Sequence, residues 1–161
     1  MADHTGNNQH IHRQSSGVRD TDLRAYGFDG TELALLALCR RLFEAVSNGR
    51  PASWTAARAT ATEFYGCGLA EPVLNATLEA VDAMRRLRST AFNYRKDGCS
   101  CCRNRITPEE RLFISAFHNL RRGKRSRAYV KSMLLVEGQE PAALLVALEM
   151  LDYTLYELGL T

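Results

Sequence analysis

The sequence lacks any apolar run near the ~20 residues that a helix needs to cross a bilayer. Its N-terminal stretch, MADHTGNNQHIHRQSSG, also lacks the apolar segment of a secretory signal. We therefore predict a cytoplasmic protein with no membrane partner. Its five cysteines would then lie in a reducing compartment, where we expect thiols, metal ligands or transient redox groups.

Motifs of the common catalytic and nucleotide-binding sites are also missing. Gly123-Lys124 lacks the upstream glycine of a phosphate-binding loop, and there is no dinucleotide fingerprint, nucleophile elbow or His-Glu-x-x-His motif. A helix cap explains the Glu109-Glu110 pair. His118 follows Phe117 on an apolar stretch, which is more typical of a hydrogen-bonded core or boundary histidine than of a base or ligand. The sequence therefore predicts no enzymatic activity and no catalytic residues.

Helical periodicity is what the sequence does contain. From Asp29 onward apolar residues recur at three- and four-residue spacings, and no alternating run is long enough to predict a strand. Asp29-Gly30-Thr31-Glu32 and Thr107-Pro108-Glu109-Glu110 have the pattern of capping boxes. Gly and Pro breaks divide the chain into about six helices, so we expect an all-α fold, a single compact bundle formed by residues 29–161.

Three other segments carry structural predictions. Residues 1–28 are polar and without periodicity, which predicts a flexible, disordered tail. The fifth predicted helix carries the apolar residues Tyr129, Val130, Met133 and Leu134. The last helix, from Glu140-Pro141, is apolar on several sides, which predicts either a central position or a place in a dimer interface.

The cysteine cluster Cys99-Ser100-Cys101-Cys102 points to a chemical role. Cys99 and Cys102 have the C-x-x-C spacing that brings two thiolates to one zinc ion. Cys67, between two glycines, would be the third ligand, and Cys101 or His118 the fourth. A redox or thiol-switch role and simple packing of small thiols remain the alternatives.

The charge distribution is strongly uneven. Between Arg85 and Lys131 there are fourteen Lys or Arg and three Asp or Glu, whereas the rest of the chain has an acidic excess. The densest basic run contains Arg121, Arg122, Lys124, Arg125 and Arg127, and it could hold nucleic acid through phosphate contacts. A helix-turn-helix around Gly123 fits poorly, because His118, Arg122 and Lys124 would occupy packing positions. Alternatively, the run is solvated or pairs with the acidic residues near the C-terminus, Glu140, Glu149, Asp152 and Glu157.

From about Cys67 to Leu151 the chain resembles a set of small helical proteins of alphaproteobacteria. The shared elements are the Cys67-Gly68 break, the arginines that end the following helix (Arg85, Arg86 and Arg88), and a cysteine shortly before Ile106-Thr107-Pro108-Glu109-Glu110-Arg111-Leu112. That family has no assigned activity, cofactor or catalytic residues. The resemblance therefore implies a helical fold and no particular chemistry.

Together these patterns predict a non-catalytic regulatory or protein-interaction protein that forms a homodimer. This prediction rests on three features: no set of catalytic residues is recognisable, the charge is unevenly distributed, and the last helix is apolar on several sides. Zinc binding through the cysteines and nucleic-acid binding through the basic run are the two alternatives.

Overall fold

The computed structural model describes residues 21–96 and 104–160, which contain six α-helices and a two-stranded antiparallel sheet. The helices are α1 (Gly30–Asn48), α2 (Pro51–Tyr65), α3 (Ala70–Leu87), α4 (Pro108–Arg121), α5 (Arg125–Leu135) and α6 (Ala142–Glu157). The strands β1 (Thr21–Asp22) and β2 (Arg105–Ile106) pair Thr21 with Ile106 and Asp22 with Arg105. The all-α fold predicted from the sequence is confirmed. No helix in these two ranges is both long and apolar enough to cross a membrane.

The helices pack around α1, which contacts α2, α3 and α4. On the other side of the bundle α3 lies along α6, and α4 lies along α5. The largest fully buried side chains come from α1, β2, α3, α4, the end of α5 and α6. They include Leu35, Leu38, Met84, Ile106, Phe113, Phe117, Leu135 and Leu148. They belong to one continuous core, as expected for a domain of this size.

Two capping boxes begin α1 and α4, as the sequence predicts. The Asp29 carboxylate accepts a hydrogen bond from the Glu32 backbone, and the Glu32 carboxylate accepts one from the Asp29 backbone. Thr107 and Glu110 make the same reciprocal pair at α4. Each box satisfies two backbone N–H groups that would otherwise lack partners at a helix start.

A buried ion pair joins α1 to the start of α4. Glu110 is completely buried, and its carboxylate accepts hydrogen bonds from Arg40 Nε at 2.8 Å and Nη2 at 3.2 Å. The same carboxylate accepts the backbone N–H groups of Arg95 and Thr107. Arg40 also donates to the carbonyl oxygen of Arg105 at 2.6 Å. This pair therefore connects α1, α4, β2 and the segment after α3.

The disordered tail predicted for residues 1–28 includes eight residues, 21–28, that the structure shows to be ordered. Residues 21–28 are ordered: β1 pairs with β2, and a 3-10 turn follows at Leu23–Tyr26. Leu23, Tyr26 and Phe28 pack against the core, and Arg111 lies 5.5 Å from the Tyr26 ring centre. Three apolar side chains without periodicity suffice to anchor this segment, which a helix-based pattern cannot detect. Residues 1–20, with His4, His10 and His12, lie outside the described residues.

Three large apolar residues of α5, Val130, Met133 and Leu134, face away from the core. The helix buries Ala128, Ser132 and Leu135, whereas Val130 and Leu134 are 53% and 59% exposed. Its small buried residues allow α5 to lie close against α4, and the larger aliphatic side chains then point outward. The apolar residues singled out from the sequence therefore lie on α5 but are not the ones that the helix buries.

Replacing Glu110 by Ala should lower the free energy of unfolding by about 3–5 kcal/mol, because Arg40 would be left as a buried charge without its carboxylate. Urea unfolding followed by circular dichroism measures this loss. The matched control is Glu109→Ala, which removes a carboxylate from the same turn that contacts Asn93 at the surface. Equal losses for the two variants would contradict the role assigned to the pair.

Candidate interaction surface

A second buried carboxylate, Glu32, ties the end of α4 to the start of α1. Glu32 is fully buried, and its oxygens lie 3.0 Å from His118 Nδ1, 3.3 Å from Arg121 Nη1 and 2.6 Å from Arg122 Nη1. Arg121 also binds Asp29 at 2.9 Å. We call these five residues the Glu32 cluster. His118 is thus a hydrogen-bonded boundary residue, as its position in the sequence predicts.

Electrostatics within the Glu32 cluster favour the ionised carboxylates. Burial raises the pKa of Glu32, but hydrogen bonds from His118, the Asp29 backbone and Arg122 lower this pKa further, so it lies below its ordinary value. Burial likewise raises the pKa of Asp29, and the Glu32 backbone together with Arg121 and Arg122 brings that pKa below its ordinary value. Both groups therefore stay charged and stabilise the fold at neutral pH.

The predicted basic patch divides into two parts with different surroundings. Arg121 and Arg122 belong to the Glu32 cluster, and the Arg121 side chain is only 13% exposed. Lys124, Arg125 and Arg127 are exposed around the start of α5. Arg125 pairs with Glu149 at 2.5 Å, and Arg121 lies 3.7 Å from Asp152. Pairing of the basic run with C-terminal acids, one of the alternatives from the sequence, therefore occurs within the molecule.

The α4–α5 turn adjoins the charged residues that the sequence analysis placed at packing positions. Gly123 adopts the left-handed conformation (φ 66°) that a tight turn requires, and α4 and α5 pack along each other. However, His118 and Arg122 are directed to Glu32 on α1. Their charges are therefore accommodated by a third helix, which the sequence-based objection to close packing did not include.

The structure bears on the predicted metal ligands only in part. Cys99, Cys101 and Cys102 lie outside the described residues. Cys67 is exposed at the α2–α3 break, and His118 already binds Glu32. Within residues 21–96 and 104–160 no three His, Cys, Asp or Glu side chains are grouped to hold a metal ion. Zinc binding thus stays a prediction, which elemental analysis of untagged protein can test.

The remaining cysteine, Cys39, is a core residue. It is fully buried on α1. Burial raises the pKa of the Cys39 thiol above its ordinary value, with the Glu110 carboxylate adding to the effect. A neutral, enclosed thiol is a poor metal ligand and nucleophile.

The most unusual surface of the described residues is formed by α5 and α6. Nine large apolar side chains are exposed in this part of the chain, and seven belong to these two consecutive helices: Val130, Met133, Leu134, Val146, Met150, Tyr153 and Tyr156. We call these seven residues the α5–α6 face. Single exposed apolar residues are common, but such a concentration on adjacent elements is typical of an interaction site.

The face of α6 is continuous along the helix. Leu144, Leu148, Leu151 and Leu155 are fully buried on one side of α6, while Val146, Met150 and Tyr153 are each more than half exposed on the opposite side. A cleft of about 770 Å³ separates α6 from the α4–α5 turn and is lined by Arg125, Glu149 and Tyr153, among others. A groove of about 660 Å³ separates α6 from α3. The exposed stripe therefore forms a ridge between two depressions.

The two helices of the face carry opposite charges. The segment from Lys124 through α5 contains four Lys or Arg and no Asp or Glu, whereas α6 contains three Asp or Glu and no Lys or Arg. Within one molecule, Arg125 binds Glu149 and Tyr129 donates to Glu140 at 3.3 Å. The first contact joins the start of α5 to α6, and the second joins α5 to the connection that precedes α6.

Comparison with protein-family models, curated proteins and solved structures finds no match. A function for this protein is therefore inferred from the geometry, burial and charge of its described residues.

Acid should destabilise the protein through the Glu32 cluster. Because folding lowers the pKa of Asp29 and Glu32 from ordinary values of 3.8 and 4.5, their stabilisation is present above those values and is lost as the pH falls through the folded pKa. We expect the free energy of unfolding in urea to fall between about pH 6 and about pH 3.

The Glu32→Gln variant should start from lower stability and lose less on acidification, because it has one fewer carboxylate to protonate. Some acid sensitivity will remain, since hydrogen bonds from Ser89 and Thr90 lower the pKa of Glu137 to about 2. An identical pH dependence in wild type and Glu32→Gln would show that Glu32 is not ionised in the folded protein.

Arg121 and Arg127 should differ in their effect on stability although both belong to the same basic run. Arg121→Gln weakens the partners of a buried carboxylate, so we expect a loss of about 1–3 kcal/mol in the free energy of unfolding. Arg127→Gln changes an exposed side chain and should stay within about 0.5 kcal/mol of wild type. Thermal and urea unfolding distinguish the two, and equal effects would contradict the division of the patch.

Proposed function

We propose that the protein is a non-catalytic interaction protein that forms a homodimer through the α5–α6 face. The observation that carries this proposal is that seven of nine exposed large apolar side chains in the described residues lie on two consecutive helices. Covering such side chains removes apolar area from water and supplies the main driving force of association, about 25 cal/mol for each Å².

A second copy of the chain is the partner that suits this face best. A homodimer with two-fold symmetry uses the same patch on both subunits, so that patch must be complementary to itself. The α5–α6 face meets this condition because its two helices carry opposite charges. A surface with cations on one helix and carboxylates on the next can therefore pair with its own copy.

The arrangement of α6 supports the same proposal. A helix that is apolar on several sides is either central or covered by a partner. In the fold α6 is not central, since Val146, Met150, Tyr153 and Tyr156 are each more than half exposed. Of the two predictions made from the sequence, the dimer interface is the one compatible with this position.

Neither alternative function gains support from a specific contact. Two of the five basic residues proposed for nucleic-acid binding, Arg121 and Arg122, are held in the Glu32 cluster. The exposed apolar side chains of α5 are also unsuited to contact with a phosphate backbone. The zinc prediction depends on cysteines that lie outside the described residues. Both remain predictions from the sequence.

Introducing a charge on the α6 ridge should weaken self-association. We expect wild type to have twice the chain mass by light scattering, and Met150→Asp to dissociate at least about tenfold more readily, because dimerisation would bury its carboxylate. Phe64→Asp is the matched control: Phe64 is also a large, half-exposed apolar residue, but it lies on α2.

Analytical ultracentrifugation over a wide concentration range gives the dissociation constants. The control should dimerise as wild type does, and both variants should keep the helical circular dichroism spectrum. A wild-type protein at the mass of one chain throughout the range would overturn the proposal.

A further inference from the structure

The opposite charges of α5 and α6 also suggest how two copies would meet. We infer that α5 of the first copy packs against α6 of the second copy, and that α5 of the second copy packs against α6 of the first. This inference rests on the proposed dimer and specifies its arrangement. The competing arrangement pairs α6 with α6 across the two-fold axis.

The charges of α6 disfavour the competing arrangement. All three charged side chains of α6 are acidic, and Glu149 and Asp152 already lie beside Arg125 and Arg121 of the same molecule. Glu157 is the carboxylate that lacks such a cation, and a second α6 helix would bring it none. Like charges facing each other across an interface oppose association. In the exchanged arrangement each α6 helix instead lies beside α5 of the other copy, whose charged side chains are all cations.

The charges needed for this exchange are available on the surface. Within one molecule Arg125 at the start of α5 already pairs with Glu149 of α6. Lys124, Arg127 and Glu157 are exposed, and none of them forms an ion pair with another of the described residues. They are therefore free to pair with a second copy.

Residue spacing gives the direction of the contact. On α5, Arg127, Val130 and Leu134 follow at three- and four-residue steps and so share one side of the helix. On α6, Val146, Met150, Tyr153 and Glu157 do the same. Each stripe is apolar with a charge at one end. Placing Arg127 beside Glu157 of the second copy makes the helices antiparallel and sets aliphatic side chains of α5 on the α6 ridge.

Symmetry then completes the interface. Because both copies contribute one α5 and one α6, a single two-fold axis generates two identical α5–α6 contacts. The contact would use Val130 and Leu134 of α5 together with Val146, Met150 and Tyr153 of α6, whereas α6 pairing alone would leave the exposed residues of α5 in water. The exchanged arrangement thus accounts for the apolar residues as well as the charges.

Two charge-reversed variants test the arrangement. The first carries Arg127→Glu on α5, and the second carries Glu157→Lys on α6. In the exchanged dimer each variant alone places like charges at both contacts, so each should self-associate about tenfold or more weakly than wild type. Mixed together, they restore an acid–base pair at both contacts and should form a heterodimer of wild-type affinity.

Native mass spectrometry of the mixture identifies the heterodimer, because the two variants differ in mass. The control is Arg50→Glu with Arg58→Glu, two reversals at exposed positions before and on α2 that should leave dimerisation unchanged. Circular dichroism confirms that every variant is folded.

The outcomes separate the arrangement from the dimer itself. A wild-type dimer with variants that dimerise normally, or with no preference for the heterodimer, would overturn the exchange of α5 and α6 and leave the homodimer intact. A wild-type protein that stays at the mass of one chain would overturn both. Selective formation of the heterodimer would establish the exchanged contacts.

Discussion

The fold depends on a reciprocal clamp between α1 and α4. Each of these helices starts with a capping box whose glutamate is fully buried, and each buried glutamate is bound by arginine from the other helix: Glu110 by Arg40, and Glu32 by Arg121 and Arg122. A buried carboxylate that lost its cation would be strongly destabilising. The two ion-pair sites therefore fix the antiparallel register of α1 and α4, and the other helices pack on this pair, α2 and α3 on α1 and α5 on α4.

The clamp also determines which charges reach the surface. Because Arg121 and Arg122 are turned towards Glu32, the end of α4 uses its cations inside the fold, and the exposed positive charge begins at Lys124. The following helix, α5, buries small side chains against α4. It consequently presents both its cations and its aliphatic residues outward, and the surface that results is amphipathic although the helix looks core-forming in the sequence.

Local signals in the sequence predicted the helices well, and long-range contacts account for what they missed. Capping boxes are formed within four residues, so Asp29-Glu32 and Thr107-Glu110 could be recognised directly. The burial of both glutamates could not, since Arg40 lies 70 residues from Glu110 and Arg122 lies 90 residues from Glu32. Likewise, periodicity identified the apolar residues of α5, but the side that it buries is decided by α4. The ordered residues 21–28 were missed because β1 depends on β2, far along the chain.

The clamp between α1 and α4 and the face that we propose for association lie in different parts of the molecule. The clamp contains charged groups whose removal should destabilise the protein, so the fold already accounts for them. The α5–α6 face contains apolar groups that the fold does not bury, so the fold alone gives no reason for their number or position. The same face carries cations on α5 and carboxylates on α6. The same face of a second copy would cover the apolar side chains and pair these charges, which is why we propose a homodimer.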